Sequence, residues 1–214
     1  MLRLESFVFN PFQENTYLLI NEKNECWIVD PGMYDNTETN QLYEFFQSHQ
    51  LRPQAIINTH AHIDHVFGVQ GLKDKYGIPF MMHEKDLPVL NGAAGSAAVF
   101  GLQFSGIPNV ENFIKEGEPL MLGDDAIEVR FTPGHSPGSI VFYYPEGGWM
   151  VAGDVLFNGS IGRTDLPGGN FDTLIRSIKQ ELFTLPDNTA VYPGHGPSTR
   201  IGDEKVYNPF LKDA

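Results

Sequence analysis

Within the run Thr59-His60-Ala61-His62-Ile63-Asp64-His65, three imidazoles and a carboxylate fall inside six residues. Imidazole nitrogen and carboxylate oxygen are ligands for zinc, iron and manganese, with zinc first among them. His60 and His62 are two apart, so an extended backbone points both to one side. Asp64 and His65 follow where the chain turns towards a helix, and reach the same space from another direction. A polar loop with surface histidines explains neither this ligand density nor the apolar run that precedes it. Three further places repeat the arrangement. Thr132-Pro133-Gly134-His135-Ser136-Pro137-Gly138 holds a histidine in a turn stiffened by Pro and Gly. Val151-Ala152-Gly153-Asp154 puts a carboxylate after one apolar run, and Tyr192-Pro193-Gly194-His195-Gly196 puts a histidine after another. Each alone reads as a structural turn. Together with the first run they describe a metal site.

Such ligands need a scaffold that brings distant segments to one place. Residues 7–9, 16–20 and 26–29 are β-branched or aromatic runs closed by polar residues, and predict strands. Residues 21–25 read as a hairpin connection and Asp30-Pro31-Gly32 as a turn. Leu42, Phe45 and Phe46 predict an amphipathic helix over 37–49. A short strand over 55–57, a helix over 66–76 and a strand over 80–82 follow. Residues 84–104 contain Pro88 and Gly92-Ala93-Ala94-Gly95, and read either as a broken helix or as a mobile flap over the site. Strands are predicted over 118–122, 126–131, 139–144, 149–152 and 190–192, with a helix over 171–183 carrying Leu174, Ile178 and Leu182 on one face. A short tail ends the chain. This order predicts an α/β domain with two sheets and helices outside, its ligands on loops at the sheet ends.

The pattern His60-x-His62-x-Asp64-His65, followed by His135, Asp154 and His195, resembles the metallo-β-lactamase superfamily. The match spans 56–196 and fills all seven ligand positions. The resemblance implies a four-layer αββα sandwich as a single domain over 1–214, with metals in a cleft at one edge. It implies one ion on His60, His62 and His135 and a second on Asp64, His65 and His195, bridged by Asp154 and a water or hydroxide. The expected cofactors are two divalent metal ions, zinc first, with iron or manganese as alternatives. Such a pair lowers the pKa of the bridging water and polarises a carbonyl or phosphoryl oxygen. Asp64 and Asp154 would add acceptor oxygens that orient the nucleophile. The expected reaction is hydrolysis, and the ligands alone do not choose among thioester, lactam and phosphodiester.

Residues 156–169, with Gly162-Arg163-Thr164-Asp165 at their centre, and the tail over 201–210 are similar to the glyoxalase II-like branch, especially its short members. That likeness implies hydrolysis of a hydroxyacyl-glutathione thioester such as lactoylglutathione. Arg163 stands where the branch carries a lysine that contacts a glutathione carboxylate, and a guanidinium can clamp a carboxylate through two hydrogen bonds. A local ion pair with Asp165 is an equally open role. Asp165 replaces a tyrosine of the branch and would repel a substrate carboxylate. The C-terminal helical extension of full-length glyoxalase II is expected to be missing, since 19 residues follow His195. The same Gly162–Asp165 run occurs in persulfide dioxygenases. A mononuclear iron enzyme acting on glutathione persulfide, with its iron on His60, His135 and Asp154, is therefore the alternative. The segment after Asp154 disfavours a true β-lactamase.

Fourteen Lys+Arg against 27 Asp+Glu give a formal charge of −13 over 214 residues. No basic run is available to hold phosphates, which argues against nucleic acid and anionic membranes as partners. No run approaches the roughly 18 apolar residues of a membrane span. The opening residues lack a signal-peptide pattern, and a lone Cys26 excludes an internal disulfide and a thiolate-rich zinc site. A cytoplasmic enzyme with a small-molecule thioester substrate is expected, its oligomeric state open. Bound ions dominate their own neighbourhood, so an acidic chain still suits a small anionic substrate. Of the residues outside the proposed site, His49 is expected at a helix C-terminus, His83 in a surface or capping role, and Cys26 half-buried in a strand.

Overall fold

Neighbouring side chains of a strand point to opposite faces, so the fate of alternate residues reveals the layers. In the computed structural model, which describes residues 1–212, Leu18 and Ile20 join one core while Tyr17 and Leu19 join another. Ile28 and Ile56 go with the first pair, Val29 and Ile57 with the second. Further along, Phe142 and Val151 share that second core, while Val141 and Met150 enter a third. The middle core therefore lies between two sheets, and an outer core lies on the far side of each.

The first sheet contains β1 (Arg3–Phe9), β2 (Glu14–Ile20), β3 (Glu25–Val29), β4 (Arg52–Ile57), β5 (Phe80–His83) and β6 (Asn112–Ile114), in that spatial order. Its first three strands are antiparallel, and β3 to β6 run parallel. The second contains β7 (Leu120–Leu122), β8 (Asp125–Phe131), β9 (Ile140–Tyr144) and β10 (Trp149–Gly153). After a small separate hairpin of β11 (Leu156–Phe157) and β12 (Ser160–Ile161), it is completed beside β10 by β13 (Ala190–Pro193) and β14 (Thr199–Arg200). Helices α1 (Asn36–Ser48) and α2 (Val69–Tyr76) cover the first sheet through Leu42, Phe46 and Leu72. Helices α3 (Leu87–Asn91) and α4 (Ala93–Val99) follow β5. Helices α5 (Phe171–Ser177) and α6 (Ile201–Tyr207) cover the second sheet through Leu174 and Ile201. The architecture is the expected αββα sandwich.

Several local expectations change. Residues 84–99 form a broken helix, with a 3-10 turn over Glu84–Asp86 and a break at Gly92 between α3 and α4, and residues 100–104 are not helical. The helix predicted from residue 66 begins at Val69, because Ile63–His65 is a separate 3-10 turn. Strands β6, β11, β12 and β14 span only two or three residues, too few for a periodic signal. In the predicted tail, α6 buries only Ile201 and Glu204, so it has no apolar stripe to read. Cys26 is fully buried rather than half-buried, because β3 has a core on both faces. Among the described residues, no helix is long and apolar enough to cross a membrane.

Candidate metal centre

Parallel strands place their C-terminal ends along one edge, and the site is built there. β3, β4 and β5 are parallel, and they release Asp30, the 58–65 segment and the turn ending at Asp86. β8 and β10 share a direction because both are antiparallel to β9, and β13 is parallel to β10. These three release the His135 loop, Asp154 and the His195 loop. Gly194 is required by the closeness of two of those loops: a Cβ there would lie 2.1 Å from Asp154 Oδ1.

All seven expected ligands come together. Ligand atoms of His60, His62 and His135 lie within 4.8 Å of one another, and so do those of Asp64, His65 and His195. Asp154 stands between the groups, with Oδ1 3.5 Å from His65 Nε2 and Oδ2 3.5 Å from both His135 Nε2 and His195 Nε2. A third, overlapping group joins His60 and His65 to Asp30, which the sequence presented only as a turn residue.

Hydrogen bonds on the outer nitrogens decide which ring atoms face inward. His135 Nδ1 lies 2.7 Å from the Arg163 carbonyl and His195 Nδ1 3.1 Å from the Phe12 carbonyl. A carbonyl only accepts, so each Nδ1 carries a proton and each Nε2 is the atom turned into the centre. His65 Nδ1 donates to Asp30 Oδ2 at 3.1 Å. Thr59 Oγ1 donates to Asp30 at 2.6 Å, leaving its lone pair to accept from His60 Nδ1 at 3.1 Å. His135 Nε2 then faces His60 Nε2 across 3.2 Å and His62 Nδ1 across 2.8 Å. A proton on His62 satisfies the second contact, while the first sets acceptor against acceptor. His65 Nε2 and Asp154 Oδ1 are buried with no hydrogen-bond partner. Converging lone pairs and orphaned buried acceptors fit a divalent cation, and imidazole with carboxylate suits zinc, iron or manganese.

The charges divide the centre. Burial, reinforced by neighbouring imidazoles, holds His60 well below the usual histidine range and lowers His62 to about 3. In the other group burial also disfavours charge, but carboxylates outweigh it. Asp64 and Asp154 drive His65 well above its ordinary value, and hydrogen bonds to Asp154 and Asp64 raise His195 to about 10. Burial alone would raise Asp154, yet charge on His65 and the His195 and His65 ring nitrogens 3.5 Å from its oxygens hold it well below the carboxylate range. A field that favours protons on these rings also favours a metal cation in their place.

Comparison with known proteins agrees with this edge-of-sandwich centre. The family model described as the metallo-beta-lactamase superfamily matches residues 9–195. The chain belongs to the metallo-β-lactamase superfamily. Within it, the chain is 40% identical to the probable metallo-hydrolase YqgX of Bacillus subtilis, covering 94% of this chain and 93% of that one. It is 36% identical to the hydroxyacylglutathione hydrolase GloC of Haemophilus influenzae, with 98% of each covered. Among solved structures, the BLEG-1 B3 metallo-beta-lactamase is 38% identical with a TM-score of 0.90, over 98% of this chain and 100% of that one. TTHA1623 in a di-iron-bound form is 41% identical with a TM-score of 0.87, over 97% and 100%. The protein is thus a metallo-hydrolase of this superfamily, with a His/Asp cluster compatible with a divalent metal site.

In this superfamily member the cleft over the cluster encloses about 430 Å³. Its lining includes the apolar Phe12, Val89, Ala93, Phe100, Phe157 and Leu166, and Arg163 is the one basic side chain other than histidine among its lining residues. The Arg163 guanidinium grips Asp165 in a fork, Nε to Oδ1 and Nη2 to Oδ2 at 2.7 Å each. The local ion pair therefore forms, beside the cleft. His49 caps α1, its Nδ1 3.0 Å from the Phe45 carbonyl. His83 is buried rather than on the surface, and caps the 84–86 turn by accepting from Lys85 N. Sequence reasoning missed four buried groups behind the ligands: Glu14, Asp30, Asn58 and Asp86. Asp30 carried a usable signal, since it directly follows an apolar strand as Asp154 does. Asp86 carried none, because Glu84-Lys85-Asp86 reads as a solvated polar run.

Proposed function

We propose that this protein is a single-domain, cytoplasmic thioester hydrolase working with two divalent ions. His60, His62 and His135 would hold one ion, Asp64, His65 and His195 the other, and Asp154 would serve both. The observation that carries this reading is the Asp154 carboxylate, whose two oxygens reach ligand nitrogens of both groups at 3.5 Å. Bound there, divalent ions supply Lewis acidity at a carbonyl oxygen and lower the pKa of a water. The chain's own groups do the rest. Asp64 and Asp154 accept hydrogen bonds from the attacking water and aim its oxygen at the thioester carbon. Water adds, the C–S bond breaks, and the acid and free thiol leave. The apolar lining side chains pack against the substrate, and Arg163 offers its guanidinium to a carboxylate of the thiol portion. Zinc is the expected metal, with iron or manganese as alternatives, the more so for iron given a di-iron-bound relative.

A hydroxyacyl-glutathione such as lactoylglutathione is the substrate supported by GloC, at 36% identity over 98% of both chains. Arg163 and Asp165 are more than half exposed, so Arg163 exchanges its partner for a substrate carboxylate at small cost. Likeness to BLEG-1 over the whole chain favours a second reading, β-lactam hydrolysis by the same centre. The second ligand group, within the same 4.8 Å limit as the first, offers a second ion a place that the one-iron dioxygenase would leave unused. Zinc-loaded protein is assayed for thiol release from S-D-lactoylglutathione and for opening of a chromogenic cephalosporin. The thioester is expected to turn over with the higher kcat/KM. Turnover of the lactam alone overturns the thioester reading, and oxygen uptake with glutathione persulfide by a one-iron form overturns the hydrolase.

A further inference from the structure

Asp86 belongs to no ligand group, yet it is fully buried directly behind the centre. Its Oδ2 accepts from Ala61 N at 2.6 Å, the peptide between His60 and His62. Its Oδ1 accepts from Ser136 Oγ at 2.5 Å and from Gly138 N at 2.6 Å, both in the loop that presents His135. One carboxylate therefore ties a loop of the first sheet to a loop of the second. Rotation of the Ala61 peptide would swing both flanking imidazoles, so this bond fixes two ligands at once. Gly138 is shaped to the purpose: a Cβ there would lie 2.5 Å from Asp86 N and 2.9 Å from Asp86 Oδ1. The other three ligands are held by different groups. Asp30 takes His65 Nδ1, the Phe12 carbonyl takes His195 Nδ1, and Asn10 Nδ2 donates to the Asp64 carbonyl.

We propose that Asp86 is a positioning residue that fixes the His60–His62–His135 half of the centre and leaves the Asp64–His65–His195 half untouched. The inference rests on the two-ion reading above. Replacing Asp86 by Asn sets an amide donor against one of three donors and leaves a buried N–H unpaired. Looser ligands bind their ion more weakly, whereas a general loss of stability would weaken both ions together.

The test is a zinc titration of the metal-free protein against a chromophoric chelator. Wild type is expected to take two ions. Asp86→Asn is expected to hold one ion within about threefold of its wild-type affinity and to bind the other roughly 10–100-fold more weakly. Ser136→Ala, which removes one donor, is expected to give the same unequal loss in smaller degree, and it carries the test should Asp86→Asn fold poorly. Placing Asp86→Asn on His195→Ala, which keeps the affected half, should weaken the single remaining ion. Placing it on His62→Ala should leave the remaining ion unchanged. Equal weakening of both ions, or of neither, overturns the proposal while the two-ion reading stands. A wild-type protein that takes fewer than two ions overturns both.

Discussion

The two halves of the centre hold the same kind of ligand by different means. Around His60, His62 and His135 the fixing contacts include Ala61 N, Gly138 N and Ser136 Oγ on Asp86, Thr59 Oγ1 on His60 and the Arg163 carbonyl on His135. Burial keeps His60 and His62 far from protonation. Around Asp64, His65 and His195 the environment is electrostatic. Asp64 and Asp154 stand among the rings, with Asp30 and Glu14 buried behind His65 at 3.1 and 3.9 Å. Burial sets the first half apart at His60 and His62, and carboxylates surround the rings of the second. The lesson is that hydrogen-bond deletions should disturb the first half and charge deletions the second.

Asp154 breaks both halves at once. Asp154→Ala is expected to lower kcat/KM by roughly 10³-fold or more, with the fold retained by far-UV circular dichroism. His62→Ala and His195→Ala each remove a ligand from one half. Each variant is expected to retain one tightly bound ion by elemental analysis and to lose about 10²-fold in turnover. Two retained ions in either variant would contradict the division. Asp30→Asn sharpens the comparison from the acidic side. It is expected to weaken the ion that Asp86→Asn spares by about 10–100-fold, and the other by a smaller factor, because Asp30 also holds Thr59, whose hydroxyl meets His60 Nδ1. Arg163→Ala lies outside both halves, and is expected to raise KM for lactoylglutathione by about tenfold or less with kcat unchanged, as for an exposed charge pair. An equal fall in kcat would place Arg163 in the chemistry. The smallest effect concerns Cys26, whose thiol burial pushes up to about 12. It should resist a thiol-labelling reagent at neutral pH in the native protein and react once the chain is unfolded.

The ligands were the most legible part of the molecule. Metal ligation demands particular side chains, and His60, His62, Asp64, His65, His135, Asp154 and His195 are rare types at strand ends. Two sheets with helices outside were legible from the order of the elements, and the four layers from the family resemblance. That β3 is covered on both faces was not drawn from residues 26–29, so Cys26 was expected half-buried. What supports the ligands was not legible. Asp86 sits 25 positions from the peptide it holds, and its partners are two main-chain N–H groups and a serine. Such contacts leave no residue-type signature at their acceptor. Glu14 is buried at the start of β2, a polar residue where a strand pattern shows only its apolar members. The Arg163 side chain drew attention for its charge, while its carbonyl proves to set the tautomer of His135.

Metal content tests the central claim most directly. The protein is purified without added chelator, saturated with zinc, freed of loose metal and analysed against protein concentration. Two equivalents per chain are predicted, falling to one in His195→Ala. A wild-type value of one equivalent or less, unchanged by His195→Ala, would contradict the two-ion centre.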